Sequence, residues 1–243
     1  MGHIQNVQSF EKLLGICTGY GGSYNPGKQN LRVENLSDLL KQAREKLLQV
    51  SVAKTNFENA QNMREAAFAE IRKQSSQVLA ELMSSGVLPE TVNDAALMVK
   101  KMRGYAAFNR AEESAAPQGS EISTEVKPRR RTNGSGYFSF AASFQKLIQT
   151  LESEPLYQPT IPELQVATLQ EKLAYLQRLN SSVVKAAAEV GQARRERNTV
   201  LYGGRTSMFS TAMAVKHQVK AIFGSSSEAT KAARKIRFSS IKI

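Results

Sequence analysis

Two arginines of this sequence stand where a helix is expected to present apolar side chains. Arg64 and Arg197 fall at matching places in two related stretches. A guanidinium inside an apolar stripe must find hydrogen-bond acceptors or reach solvent. One interpretation is structural, with a salt bridge to an acid such as Glu11 or Glu65, or a bundle end that opens to water. The other is functional, with the two arginines as an anion-binding pair.

Lysine and arginine also accumulate toward the C-terminal end. Among the last fifty residues, eleven are Lys or Arg and two are Asp or Glu. Helical spacings, such as Lys216 to Lys220, place cations on one face, where they could neutralise phosphates or an acidic partner. A merely solvated face is the alternative, because no base-reading motif or aromatic RNA-binding platform accompanies the charge. The candidate anion-binding or partner-binding residues are Arg64, Arg197, Lys216, Lys220, Lys231, Arg234, Lys235 and Arg237.

No residue pattern typical of a catalytic or metal site is present. His3 and His217 are the only histidines, and neither has the partners whose spacing would indicate a metal site or a nucleophilic triad. The glycine-rich stretches 19–22 and 203–204 match no phosphate-binding loop and are interpreted as turns. We therefore expect a protein that is not an enzyme, with no cofactor, no metal and no evident small-molecule substrate.

The composition indicates an all-α protein. Of 243 residues 41% are hydrophobic and 22% charged, with no Trp and 7% aromatic residues. Long stretches of helix-forming residues lack Gly and Pro, and alternation typical of strands is nowhere sustained. The single cysteine, Cys17, favours a reducing compartment and a place in the core. Since neither a signal peptide nor a transmembrane span is evident, we expect a cytoplasmic protein.

The sequence contains an internal repeat. The stretch 9–14 matches 143–148, Tyr24-Asn25-Pro26 matches Tyr157-Gln158-Pro159, and the alignment continues at an offset of 133. Along it, apolar residues alternate at spacings of four and three, which is typical of a helix with one buried stripe. Each half is predicted to contain one long helix, from about Pro162 to Tyr202 in the second half and onward from about Ser37 in the first.

Shorter helices are predicted around each long one. Amphipathic segments at 7–16 and 137–151 precede the irregular Tyr/Pro loops. After Gly203-Gly204 we expect a helix over about 207–223, a stop at Gly224, and a basic helix from Ser226 or Ser227 to about Phe238. In the first half we expect a weak break near Ser75-Ser76 and a last helix to about Arg103.

These patterns predict three segments. Residues 1–110 form a first helical repeat unit, residues 111–136 a basic linker rich in Ser, Gly and Pro, and residues 137–243 a second unit with a basic C-terminal face. The linker carries the cationic run 127–131. This run is interpreted as a solubilising feature, with a phosphate clamp or a protease-sensitive hinge as the alternatives. We favour packing of the two units into one bundle over two independent domains.

Part of the sequence resembles a known set of proteins. The last fifty residues are similar to uncharacterised duplicated all-helical proteins of Bacteroidota, and the remainder is similar more loosely. The resemblance implies a bacterial, helical, non-enzymatic protein and no particular activity. The residues that carry it are Arg197-Asn198, Leu201-Tyr202-Gly203, Val215-Lys216, Val219 to Gly224 and Lys235-Ile236-Arg237-Phe238.

The features together favour an interaction module. We expect a helical structural or interaction protein whose basic C-terminal face contacts an anionic partner, either another protein or a second copy of the chain. One alternative is binding of nucleic acid or another polyanion without sequence specificity. Another is a membrane-active helical protein that inserts the amphipathic segments 7–16 and 137–151.

Overall fold

The computed structural model describes residues 2–113 and 135–239, without the side chains of 104–113 and 135. The described chain is entirely helical and contains no strand, which confirms the predicted all-α class. The cationic run 127–131 and most of the predicted linker lie outside the described residues. The helices are α1 (Gly2–Gly19), α2 (Val33–Ser84), α3 (Pro89–Glu113), α4 (Ser135–Glu152), α5 (Val166–Tyr202), α6 (Met208–Phe223) and α7 (Glu228–Lys235).

The chain divides into two compact units whose boundaries fall inside the two long helices. Unit 1 comprises Met1–Phe57 and Ala186–Ile243, and unit 2 comprises Glu58–Lys185. Each unit therefore combines the beginning of one long helix with the end of the other. These units differ from the contiguous segments 1–110 and 137–243, because α2 and α5 each run without interruption from one unit into the other.

Unit 1 has a core formed by both ends of the sequence. Helix α1 contributes Phe10 and Leu13, the start of α2 contributes Leu36, and Leu201 and Val215 come from α5 and α6; all five are at most 1% exposed. Burial of such side chains stabilises a fold by about 1.5 to 3 kcal/mol each. The same core includes Ala229 and Ala233 of α7, whose small side chains allow a close approach of that helix.

Unit 2 has its own core, built from the central part of the sequence. Phe68 and Leu82 of α2 pack with Met102 of α3 and with Phe144 and Leu147 of α4. The ring of Phe68 meets Tyr137 and Phe140 edge to face, at centroid distances of 4.9 and 5.0 Å. Edge-to-face aromatic pairs contribute roughly 0.5 to 1.5 kcal/mol beyond the buried area. Unit 2 thus depends on apolar residues of α2 to α4 and the start of α5.

The two Tyr/Pro loops have the same local structure. The hydroxyl of Tyr24 donates a hydrogen bond to the carbonyl of Leu31 at 3.0 Å, and that of Tyr157 donates to Leu164 at 2.8 Å. In both loops a short 3-10 turn, at Gln29–Leu31 or Pro162–Leu164, precedes the long helix. Burial is the largest cause that raises the pKa of both tyrosines, that of Tyr157 to about 12. Both hydroxyls are therefore neutral donors.

Several predicted helix limits shift in the structure. Helix α2 starts at Val33 rather than Ser37, and Pro162 lies in the 3-10 turn before α5. The expected break at Ser75-Ser76 is absent, since the hydroxyl of Ser75 donates to the carbonyl of Arg72 within the helix. Helix α3 extends beyond Arg103 to Glu113.

The C-terminal helices begin and end close to where the sequence indicates. Helix α5 ends before Gly204, which has a φ of 75°, and α6 ends before Gly224, which has a φ of 84°. A residue with a side chain would be strained in that left-handed conformation. Ser207 and Ser227 cap α6 and α7 by accepting the backbone N–H of Ser210 and Thr230. Helix α7 ends at Lys235 rather than near Phe238.

The two buried tyrosine hydroxyls should contribute equally to stability. Replacing Tyr24 or Tyr157 with Phe leaves a buried carbonyl without its donor, so each variant should lose about 1 to 3 kcal/mol of unfolding free energy. Urea denaturation followed by circular dichroism measures the loss. Tyr175→Phe is the matched control, because Tyr175 is 42% exposed and should change little. If Tyr24→Phe and Tyr157→Phe both unfold like this control, the two hydrogen bonds do not stabilise the loops.

Candidate polyanion-binding surface

Helix α7 presents a basic stripe on its exposed side. Ala229, Thr230 and Ala233 are buried, while Lys231, Arg234 and Lys235 are exposed. Arg234 and Lys235 follow Lys231 by three and four residues, so both lie on the same side of the helix as Lys231. Cations in the last turn also interact favourably with the partial negative charge of the helix C-terminus. Their position on α7 is therefore compatible with helix stability and leaves their charge toward solvent.

The net positive charge of the chain lies almost entirely in unit 1. The segments of unit 1 hold 18 Lys and Arg against 7 Asp and Glu, a formal charge of +11. Those of unit 2 hold 15 against 14, a formal charge of +1. A charge difference of this size gives unit 1 a positive field that attracts anions, whereas unit 2 is nearly neutral as a whole.

Most of the acidic residues of unit 1 already have a cationic partner within the unit. The pairs are Glu11 with Arg44, Asp38 with Lys41, Glu196 with Lys46 and Glu228 with Lys231. Such exposed pairs contribute little to stability. They do, however, use up the carboxylates that could neutralise other cations. Within the described part of the chain, no carboxylate oxygen lies within 4.0 Å of the exposed Lys220, Arg234, Lys235 or Arg237.

Lys216 makes internal contacts, unlike the other predicted residues of the C-terminal face. Its ammonium donates a hydrogen bond to the carbonyl of Ile236 and lies 5.1 Å from the ring centre of Phe238. Burial lowers the pKa of Lys216. The side chain therefore anchors the segment after α7 and is poorly placed to bind a partner. Its spacing from Lys220 gave no sign of this, because the acceptor is a backbone carbonyl twenty residues away.

Asn6 fixes the same C-terminal segment to α1. Its amide nitrogen donates to the carbonyl of Ser239 at 2.9 Å, and its amide oxygen accepts the backbone N–H of Ser239 at 2.8 Å. Asn6 is 1% exposed whereas Ser239 is exposed, so the amide side of both hydrogen bonds is buried. This pairing was not foreseen, since a lone Asn in a helix carries no sequence signal for a partner 233 residues away.

Arg197 and His3 belong to a polar group at the end of α5. The guanidinium of Arg197 donates to the side-chain oxygen of Asn198 at 2.8 Å, and burial is the main cause that lowers its pKa. The Nδ1 atom of His3 lies 2.9 Å from the hydroxyl of Tyr202. Burial, followed by the charges of Arg197 and the N-terminus, lowers the pKa of His3. A neutral ring can accept the hydroxyl proton of Tyr202 at Nδ1.

Arg64 lies inside unit 2 and stacks on an aromatic ring. Its guanidinium carbon is 3.9 Å from the centre of the Tyr137 ring, and the residue is 7% exposed. The buried Nε atom has no hydrogen-bond partner. Neither Arg64 nor Arg197 forms an ion pair with a carboxylate in the described residues, so the predicted salt bridges with Glu11 or Glu65 are wrong. The ring of Tyr137 takes the place of the carboxylate.

The two predicted arginines also belong to different units. Arg64 is part of unit 2 and Arg197 part of unit 1. Of the eight candidate residues, Arg64, Arg197 and Lys216 therefore make the internal contacts described above. The exposed residues that remain are Lys220, Lys231, Arg234, Lys235 and Arg237, all of unit 1.

Comparison with protein-family models, with curated proteins and with solved structures finds no match for the chain.

Groups of metal-binding side chains and membrane-spanning helices are both absent from the part of the chain that the structure describes. In the residues that the structure describes, no three His, Cys, Asp or Glu side chains are grouped so that they could hold a metal ion. No helix in the same residues combines the length and apolarity that a membrane span requires.

The lone thiol of Cys17 is 0% exposed, and burial raises its pKa to about 11. It is therefore an unreactive core residue.

Removal of the Asn6 amide should release the segment that follows α7. In Asn6→Ala the backbone groups of Ser239 lose both partners, so the backbone N–H of Ser239 should exchange with solvent at least tenfold faster. Hydrogen exchange of the full chain measures this rate. Gln5→Ala is the matched control, since Gln5 is the exposed neighbour on the same helix. Equal exchange at Ser239 in both variants would contradict the anchoring role.

The guanidinium of Arg64 should be dispensable for the stability of unit 2. Its stem fills space in the core, while its charge is desolvated without a carboxylate partner. Arg64→Met keeps the length of the stem, so its free energy of unfolding should be no more than about 1 kcal/mol below that of the wild type. Arg64→Ala leaves a cavity and should lose about 2 to 4 kcal/mol of unfolding free energy. Urea denaturation compares the two. A loss above about 2 kcal/mol in Arg64→Met would show that the stacked charge itself holds unit 2 together.

Proposed function

We propose that this chain is a non-enzymatic helical interaction protein that binds a polyanionic partner through the exposed cations of unit 1. The observation that carries the proposal is the concentration of +11 formal charges in unit 1, together with the exposed stripe of Lys231, Arg234 and Lys235 on α7. An extended polyanion that neutralises several of these cations releases its condensed counterions, which gives a large favourable entropy.

The mode of binding follows from the residue types. Lys220, Arg234, Lys235 and Arg237 are flexible, exposed donors that suit phosphate or carboxylate groups along a chain. No described Phe or Tyr side chain of unit 1 is fully exposed. Some of them pair with one another, as Tyr20 does with Phe223 at 4.7 Å. Since stacking on bases requires exposed aromatic faces, we infer that this surface reads charge and not nucleotide sequence.

Nucleic acid is the first polyanion to test. Its closely spaced phosphates can contact several cations on one helix face, as on α7. Insertion of the amphipathic helices α1 and α4 into a membrane receives no support from their packing. Most apolar residues of α1, including Phe10 and Leu13, and of α4, including Phe144 and Leu147, lie in the cores of their units. Ile4 and Phe138 are the large apolar residues of these two helices that are exposed.

Self-association or binding to a protein partner through a mainly apolar interface is the second candidate function. It predicts partner binding that depends weakly on salt, because protein interfaces combine few ion pairs with apolar contacts. We also propose that the protein comes from Bacteroidota and that its two halves arose by duplication. The equivalent hydrogen bonds of Tyr24 and Tyr157 and the matching 3-10 turns support the duplication.

Charge reversal on unit 1 should abolish binding to nucleic acid. The variant combines Lys220→Glu, Arg234→Glu, Lys235→Glu and Arg237→Glu. Electrophoretic mobility and fluorescence anisotropy with labelled duplex DNA and single-stranded RNA, at low and physiological salt, measure the affinity. We expect wild-type affinity to fall steeply with salt, and the log-log slope to shrink by up to about 0.9 for each phosphate contact removed.

The matched control places the same charge change on unit 2. It combines Lys73→Glu, Lys100→Glu, Lys146→Glu and Lys185→Glu, all at exposed positions. Its net charge equals that of the unit 1 variant, so any difference between the two reports the surface and not the total charge. If wild type fails to bind either nucleic acid at low salt, or if both variants lose affinity equally, the basic surface of unit 1 is not a nucleic-acid site. Vesicles with 30% anionic lipid provide the comparison for membrane binding.

A further inference from the structure

A small cavity in unit 2 is lined by two cations. It has a volume of about 150 Å³ and is lined by residues of α2, α3 and the beginning of α4. Arg72 and Lys101 are the cations, and none of the described residues that line it is an Asp or Glu. Within the described residues no carboxylate oxygen lies within 4.0 Å of either cation. Two positive charges thus share one concave space in a unit that is otherwise nearly neutral.

The remaining walls of the cavity hold these cations in place. Phe140 and Met102 are buried side chains that form an apolar part of the lining. The guanidinium carbon of Arg72 lies 5.5 Å from the ring centre of Phe140, a cation–π contact. This contact uses none of the N–H groups of the guanidinium as hydrogen-bond donors, so they can donate to other acceptors. An apolar wall also lowers the local dielectric, which strengthens the attraction between these cations and an anion.

Hydrogen-bond donors complete the site. Ser139 lines the cavity and carries a hydroxyl that can donate. Gly136 and Tyr137 also line it from the first turn of α4, where backbone N–H groups have no acceptor within the helix. Lys101 and Ser139 are exposed, so a ligand can enter from solvent. The donors and the cations, with no acid among the described residues that line the cavity, favour an anion as the ligand.

We propose that this cavity binds a phosphate group, either as inorganic phosphate or as the terminal group of a small phosphate monoester. A phosphate carries about −1.5 to −2 charges at neutral pH and offers three or more acceptor oxygens, which matches two cations better than a single carboxylate does. The volume is below the roughly 300 Å³ at which pockets for drug-sized ligands begin, so the enclosed part of the ligand is small. The site is separate from the surface of unit 1.

Isothermal titration of the full chain with inorganic phosphate, phenyl phosphate and acetate, at constant ionic strength, tests the site. We expect saturable binding of phosphate and weaker binding of acetate. Arg72→Gln and Lys101→Gln should each weaken phosphate binding tenfold or more, because each removes a charge-assisted hydrogen bond. Tighter binding of phenyl phosphate than of phosphate would assign the site to monoesters, and equal binding would assign it to the free ion.

Controls separate this site from the proposed function of unit 1. Lys100→Gln removes an exposed cation adjacent in sequence that does not line the cavity, and it should bind phosphate like the wild type. The charge-reversed variant of Lys220, Arg234, Lys235 and Arg237 should also keep phosphate binding, whatever it does to nucleic acid. Absence of saturable binding up to 10 mM phosphate, about the weakest binding worth assigning to a site, would overturn the proposal. So would equal affinities of wild type, Arg72→Gln and Lys101→Gln, or acetate binding as tight as phosphate binding.

Discussion

The structure depends on two helices that each supply residues to two separate cores. Helix α2 places Leu36 and Leu40 in the core of unit 1 and Phe68 and Leu82 in that of unit 2. Between Ala43 and Arg64 it has no buried residue in the described structure. Because each residue turns a helix by about 100°, an insertion in this stretch would rotate the apolar side of one end relative to the other. The absence of Gly and Pro from 33–84 follows from that constraint.

This sharing also determines how charge is distributed. The cationic residues of the last fifty positions join the first 57 residues in unit 1, while the acids of the central sequence remain with unit 2. A count along the sequence assigns a charge of +8 to residues 137–243, whereas the fold concentrates +11 in one compact unit. Since the strength of an electrostatic field depends on which charges are close in space, the basic character of unit 1 becomes clear only once the fold is known.

Local signals in the sequence were sufficient for the helical class and for most helix ends. Gly204 and Gly224 end their helices and Ser227 begins α7, because caps and left-handed glycines act over a few residues. The division into units was not predictable in this way, since periodicity shows which residues are buried but not which core receives them. The cavity around Arg72 was missed for the same reason: its walls come from three helices that are distant in sequence.

The cations of this protein acquire their roles from the partners that the fold brings to them. The guanidinium of Arg64 contacts the ring of Tyr137, and the ammonium of Lys216 donates to the carbonyl of Ile236. Neither group is available to an outside partner. Lys235 is exposed to solvent, and only such a cation can contact an incoming polyanion and displace the counterions condensed on it. Docking of the C-terminal segment by Asn6 and Lys216 uses one cation and leaves Arg237 exposed beside it. The contacts that hold that segment in place therefore also decide which charges of unit 1 are available for binding.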